Sequence, residues 1–424
     1  MLMRLKVLFC VCMLPALVWG QSRKPYASWY VDGAKEKSEN RSHTALEAFE
    51  QGQSVIYATN AVDLYLTYLR VNKTSGGIMA DDRRETGANS ALLADGASKV
   101  RLDKCDVISH SAQADGITAS GQDTKVTVNE GTVSTSRQFS VGVSSINNAL
   151  VTVNKTEVNT IDHQSPAFYV HNGGEMTVTE AFGRNTGQAS PEFYVGGGKI
   201  SATKCRLNSA KWTIGSVDTG LLEVSASELK SGGICGFLVY GANDKVNELR
   251  ALDRLVLVKN KITVGEGPLI LVTNAGGEIT LSKNKINCKD DVIIAVKADE
   301  WGVKGANMGN AMIDLANQSL KGDIYVDSIS SLELYLKKGG KLNGAITGNP
   351  CDGRSVNVHL EKGGAWTVKG DVYVNRVTFE QPLKKGLKQL KGKHVIYYDA
   401  DDPYNELLGG KEHKTSGGWL RPMK

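Results

Sequence analysis

QSPAFYVHNGGEMTV, from Gln164 to Val178, and ASPEFYVGGGKIS, from Ala189 to Ser201, are two copies of one unit. Ser165 and Ser190 stand 25 positions apart, as do Phe168 and Phe193, Tyr169 and Tyr194, and Val170 and Val195. A repeat of that length marks a supersecondary unit stacked on a copy of itself. The alternation inside it is strand-like. Phe168 and Val170 share one face, and Tyr169 and His171 share the other.

Outward from this pair, a second pattern runs through the chain: apolar, any residue, apolar, then a third apolar position after a gap of four. It occurs at Leu64, Leu66, Val71; at Val100, Leu102, Val107; at Val126, Val128, Val133; and at Val151, Val153, Val158. It returns at Ile200, Ala202, Leu207 and at Leu222, Val224, Leu229, then at Leu255, Leu257, Ile262 and Ile279, Leu281, Ile286. Met176 and Val178 open another copy whose third position is Gly183. After Asp291 the period persists with other residues: LKGDIYVD from Leu320 and VKGDVYVN from Val368 are two units of 24 apart. Asn154-Lys155, Asn260-Lys261 and Asn284-Lys285 follow the second strand of their units, and asparagine suits a corner because it tolerates left-handed backbone.

Units of 22–26 residues with strand alternation and no helical period predict an all-β protein, a right-handed parallel β-helix (solenoid). The expected boundaries are a leader at 1–20, an N-terminal capping segment at 21–53, the β-helix at 54–380, and a C-terminal strand and cap at 381–424. About 12 coils would make a rod of roughly 55–60 Å at ~4.8 Å per coil. SHTALEAFEQG, from Ser42, reads as a short helix in the capping segment, closed by Gly52.

Met1 to Lys6 is basic, Val7 to Val18 apolar, and Gly20 small, the pattern of a secretory signal peptide. No transmembrane span is expected after its removal, so the mature chain is read as exported, to the extracellular space, the cell surface or the periplasm. The net charge of +5 falls to +3 once Arg4 and Lys6 leave, which gives no support to nucleic acid as a partner. Of the cysteines beyond the leader, Cys105 and Cys205 fall at one place in the repeat but four units apart. That is about 19 Å, far beyond disulfide reach. With Cys235, Cys288 and Cys351 they read as small buried hydrophobes.

The run EWGVKGANMGNAMIDLANQSLKGDIYVDSISSLELYLKKGGKLNGAIT from Glu300, the SPxFYV coils, VIYYDADDPYNELLGGK from Val395 and the TSGGWLRP ending carry a resemblance. They look like a family of bacterial exported right-handed parallel β-helix repeat proteins, adhesin-like and of the pectin-lyase-like fold class. The resemblance covers most of the chain after about Val55 and implies fold and export. It implies no characteristic activity.

A catalytic constellation is not legible. The pairs Asp81-Asp82, Asp290-Asp291 and Asp401-Asp402 fall in separate turns, where solvated carboxylates are the simpler reading. The acidic run at Asp399 lacks the sixth-position glycine and distal glutamate of a calcium loop, so neither metal nor cofactor is expected. Lys384, Lys385, Lys388, Lys391 and Lys393 read as a solvated cap that would also suit an acidic surface. The candidate binding residues are Tyr169 and Tyr194. If Phe168 and Phe193 point inward, the tyrosines stack outside, with Gly142 expected at the equivalent place one coil earlier. Outward aromatics suit the apolar face of a sugar or a partner protein; the competing reading is a pair that only steadies its own strands. The function expected is a non-enzymatic, monomeric rod on the surface or secreted, binding glycans or surface proteins. The alternative is a polysaccharide lyase or glycoside hydrolase on the same scaffold.

Overall fold

The computed structural model describes residues 26–74, 86–242, 253–348 and 355–423. The leader, Asp81, Asp82 and Cys351 lie outside them.

Three strands and three corners make each turn of the chain. The first strands of successive turns pair in a 13-stranded sheet and the second strands in a 14-stranded sheet. The third strands form a 10-stranded sheet, which a four-stranded one follows from Ser319. The result is a parallel β-solenoid of about 15 turns, roughly 70 Å long at ~4.8 Å per turn. Antiparallel pairing among the described strands occurs only at the C-terminal end, between His413–Lys414 and Trp419–Pro422.

Stacking equivalent strands in register puts like residues above one another. Val100, Val126, Val151, Met176 and Ile200 pair in that order and are all buried. The ladder continues through Leu222, Leu255, Ile279, Ile313, Leu334 and Val358. One apolar column therefore runs through most of the interior, and each member is desolvated by its neighbours above and below. Gly183 takes its expected place between Val158 and Leu207.

Three expectations are corrected. The segment read as a helix forms the strand Ala45–Ala48. The first turn is already present at Tyr26–Asp32, Ser38–Ser42 and Ala45–Ala48, and turns continue to the C-terminal end, so the count exceeds 12. Its ladder position opposite Leu64 is Glu39, and Arg41 lies opposite Leu66 with its guanidinium over the Trp29 ring at 3.7 Å. Amphipathic side chains at this terminal turn hide the apolar pattern. The third correction concerns the corner. Left-handed backbone is adopted by Lys155, Lys259 and Lys283, whereas Asn260 and Asn284 follow the turn and are buried. There they form an internal ladder: Asn260 N donates to Asn284 Oδ1 at 2.9 Å, and Asn284 N to Gln318 Oε1 at 2.7 Å.

The same left-handed corner is occupied in successive turns by Lys104, Glu130, Lys155, Glu180 and Lys204. Their charges alternate along the rod, with Lys104–Glu130 at 3.8 Å and Lys204–Glu180 at 3.4 Å. Cys105 and Cys205 sit just after this corner, four turns apart, and both are free thiols, as are Cys235 and Cys288.

Candidate functional site

The SPxFYV coils owe their local shape to the serine and the proline. Ser165 N donates to Ser190 Oγ at 2.9 Å, and Ser140 N to Ser165 Oγ at 3.1 Å, so a column of hydroxyls satisfies the corner backbone. Pro166 and Pro191 come next, where no ladder N–H is required. Each strand then starts with its phenylalanine inward. Phe168 and Phe193 are fully buried and stack at 5.5 Å between centroids.

Alternation sends Tyr169 and Tyr194 to the outer face. Both are half-buried, and their rings stack at 5.3 Å with an interplanar angle of 23°. The residue paired with Tyr169 in the preceding turn is Ser144, not Gly142. Gly142 lies at the corner just before the strand Val143–Ile146, and its N–H donates to Pro166 O. On the other side a small residue, Ser216, pairs with Tyr194.

Beyond Ser216 the outer face turns apolar. Trp212, Cys235, Leu238, Tyr240, Leu271, Ala295 and Trp301 form a second buried cluster outside the solenoid, with Tyr194 packed against it. Tyr240 meets Trp301 edge to face at 5.4 Å, and its hydroxyl donates to Tyr194 Oη at 3.3 Å. Between the tyrosine stack and this cluster is a cleft enclosing about 100 Å³, which Tyr169, Tyr194, Trp212, Ser216, Tyr240 and Trp301 help to line. None of its lining residues among those described is charged.

Sequence reasoning reached the two tyrosines but not Trp212, Tyr240 or Trp301. Trp301 belongs to the excursion between the strands Val292–Val296 and Gly309–Leu315. Asn307 fixes that excursion by donating from Nδ2 to Asp299 O and Trp301 O. The available signal was the aromatic residue that ends the strand Phe237–Tyr240 and the tryptophans in the corner after Ser209 and in the excursion after Val296.

A polar grouping lies on the outer face of the second sheet, toward the C-terminal end. His359 Nε2 is 2.7 Å from Glu333 Oε2, its Nδ1 is 2.7 Å from Thr378 Oγ1, and its ring stacks on Tyr335 at 4.4 Å. Arg376 pairs with Asp402 at 3.1 Å, and Lys337 with Asp314 at 2.7 Å. The charges of this grouping are thus largely matched within it. Among the other acidic residues, Asp290 accepts from Val292 N, and Asp399 from Asp401 N. Among the described residues no group of His, Cys, Asp and Glu is arranged to hold a metal ion. The five lysines of the 384–393 run are all exposed, around the short helix Leu383–Gly386.

Fold and site together define the class: a parallel β-solenoid with an aromatic cleft on one lateral face. No family model matches the chain, and no curated protein does. Among solved structures it is similar to a TibC-catalysed hyper-glycosylated TibA fragment, at 14% identity over 81% of this chain and 97% of that one. The TM-score is 0.20, an overlap that carries no argument about function.

Proposed function

We propose that this protein is an exported, non-enzymatic, adhesin-like rod that presents the lateral face of its first sheet to glycans or surface proteins. The supporting observation is the Tyr169–Tyr194 stack on the outer face, beside an aromatic cleft whose described lining is uncharged. Amphipathic rings held on rigid strands offer contact area with little conformational entropy to lose. The basic, then apolar leader of residues 1–20 supports export. A glycan array and surface-protein pull-down with the wild type and Tyr169→Ser test the reading. Binding that is lost in the variant while the circular-dichroism melt is unchanged is the expected result. Binding indifferent to Tyr169 would move the site elsewhere.

The second reading, a polysaccharide lyase or glycoside hydrolase, draws on the Glu333–His359–Thr378 grouping with Arg376 close by. Acid–base chemistry needs hydrogen-bonded groups of this kind. Turnover of uronate polymers, followed by the absorbance of unsaturated ends and by reducing sugar, would favour it if His359→Ala removes the activity.

A further inference from the structure

The third face of the solenoid changes character over its last turns. Between the strands Glu228–Ser231 and Lys261–Val264 of the ten-stranded sheet, cation meets carboxylate, with Lys261 Nζ 2.9 Å from Glu228. The four-stranded sheet that follows presents Lys321, Lys341 and Lys391 outward, beside Ser319, Asn343 and Thr367. Leu320, Leu342, Trp366 and Leu390 fill its core side, and no outward position on it carries a carboxylate.

The corner that leads into this sheet adds charge of the same sign. Lys338 and Lys362 stand there in adjacent turns, both exposed, where Gly339 N donates to Gly363 O. One turn further on, the corner is built as the short helix Leu383–Gly386 and the turn Leu387–Gln389, which leave Lys384, Lys385 and Lys388 exposed. None of these lysines forms an ion pair among the described residues. Carboxylates border the patch at Asp323, Glu361, Asp371 and Glu380. Three of them are held by backbone: Asp323 accepts from Ala345 N, Asp371 from Val395 N and Glu380 from Lys362 N. Like charges gathered in this way repel one another, and a bound polyanion turns that repulsion into attraction.

Three features narrow the partner. The lysines follow one edge of the rod through successive turns at ~4.8 Å spacing, so a linear chain of charges can run beside them. Leu383 and Leu387 pack against the core, and no large apolar side chain on these elements is exposed, so a lipid surface has nothing to receive. Neither an arginine fork for phosphates nor an aromatic ring for bases lies among these outward positions.

We infer that this basic edge binds a linear acidic polysaccharide, bearing carboxylates or sulfates, through charge. The site is separate from the tyrosine face and does not rest on the reading given above for that face.

Binding of the full chain to polygalacturonate, dextran sulfate, neutral dextran, phosphatidylglycerol vesicles and duplex DNA tests this. At least one acidic polysaccharide should bind while dextran does not, and the affinity should fall steeply as sodium chloride rises from about 50 to 200 mM. Lys384→Glu, Lys388→Glu and Lys391→Glu together should weaken that binding by on the order of tenfold. Lys125→Glu, Lys230→Glu and Lys285→Glu together, all at exposed positions, change the net charge equally and should cost far less. In the wild type, bound polysaccharide should shield Lys384, Lys388 and Lys391 from acetylation more than Lys125, a readout that needs no variant to fold. Equal losses in the two triple variants, or uniform shielding, overturn the assignment, as does failure of both acidic polysaccharides to bind. Tighter binding to vesicles or DNA overturns the polysaccharide as partner. Loss of binding in Tyr169→Ser but not in the Lys384, Lys388 and Lys391 variant transfers the polysaccharide to the tyrosine face and overturns the basic edge.

Discussion

Glu192 stands in the repeat where the previous copy has Ala167, and it is completely buried. Its Oε1 accepts from Asn185 N at 3.0 Å. Burial pushes its carboxyl up to about 7, against the pull of the Asn185 and Asn208 backbone N–H groups. The folded protein therefore holds this proton more tightly than the unfolded chain. The associated stability is complete below the ordinary glutamate range, near 4.5, and is lost as the pH rises through about 7. Glu192→Gln should match the wild type in unfolding free energy from urea titration at pH 4 and exceed it at pH 8, by on the order of 3 kcal/mol. An unchanged difference between the two pH values would rule this out. At the neighbouring scale of a single amide, Asn284 Nδ2 donates to Leu257 O at 2.7 Å while its Oδ1 accepts from Asn260 N. Asn284→Ala strands both buried groups and should cost about 1–3 kcal/mol in chemical denaturation. Asn154→Ala, at the partly exposed position just before its corner, should cost measurably less.

A strand is the next unit up, and there the period-two rule decides everything. Val126 lies between Val100 and Val151 in the central ladder, with its side chain buried. Val126→Asp would place a carboxylate among aliphatic neighbours at a cost of several kcal/mol, visible as a large fall in thermal midpoint or loss of soluble protein. Tyr169→Ser, one face outward on the first sheet, should leave the melt almost unmoved. The contrast shows why so much of the fold was legible. The ladder is written directly into the sequence, since each turn contributes Val, Met, Ile or Leu at a fixed interval and no contact beyond the adjacent turn is needed to read it. Tyr169 and Tyr194 were legible for the same reason. Trp212 and Trp301 were not, because they come from a corner and an excursion that the repeat does not index; Tyr240 ends the strand Phe237–Tyr240, but only folding sets it against Trp301. The first turn escaped for a different reason. With Glu39 and Arg41 on its ladder positions, it looks polar although its backbone pairs like every other.

For the whole molecule, the constraint is that each turn touches mainly its two neighbours. Stability in such an array is close to a sum of unit and interface contributions, so its ends open before its middle. Native-state hydrogen exchange should find the amides of Tyr26–Asp32 and Trp419–Pro422 the least protected and those of Lys125–Asn129 through Gly198–Thr203 the most. Uniform protection along the rod would mean that the solenoid opens as a single unit instead.

The alternating corner residues have a consequence for assembly of the chain. Read along the rod, Lys104, Glu130, Lys155, Glu180 and Lys204 form a string of signs in which every neighbour differs. A chain that skipped one turn while winding would set lysine beside lysine or glutamate beside glutamate. Skipping two would restore the opposition. The string therefore acts as a parity check: weak at any one contact in water, but definite in sign, and blind only to errors of even count. The apolar ladder cannot make this distinction, because valine against valine looks the same whichever turn is missing.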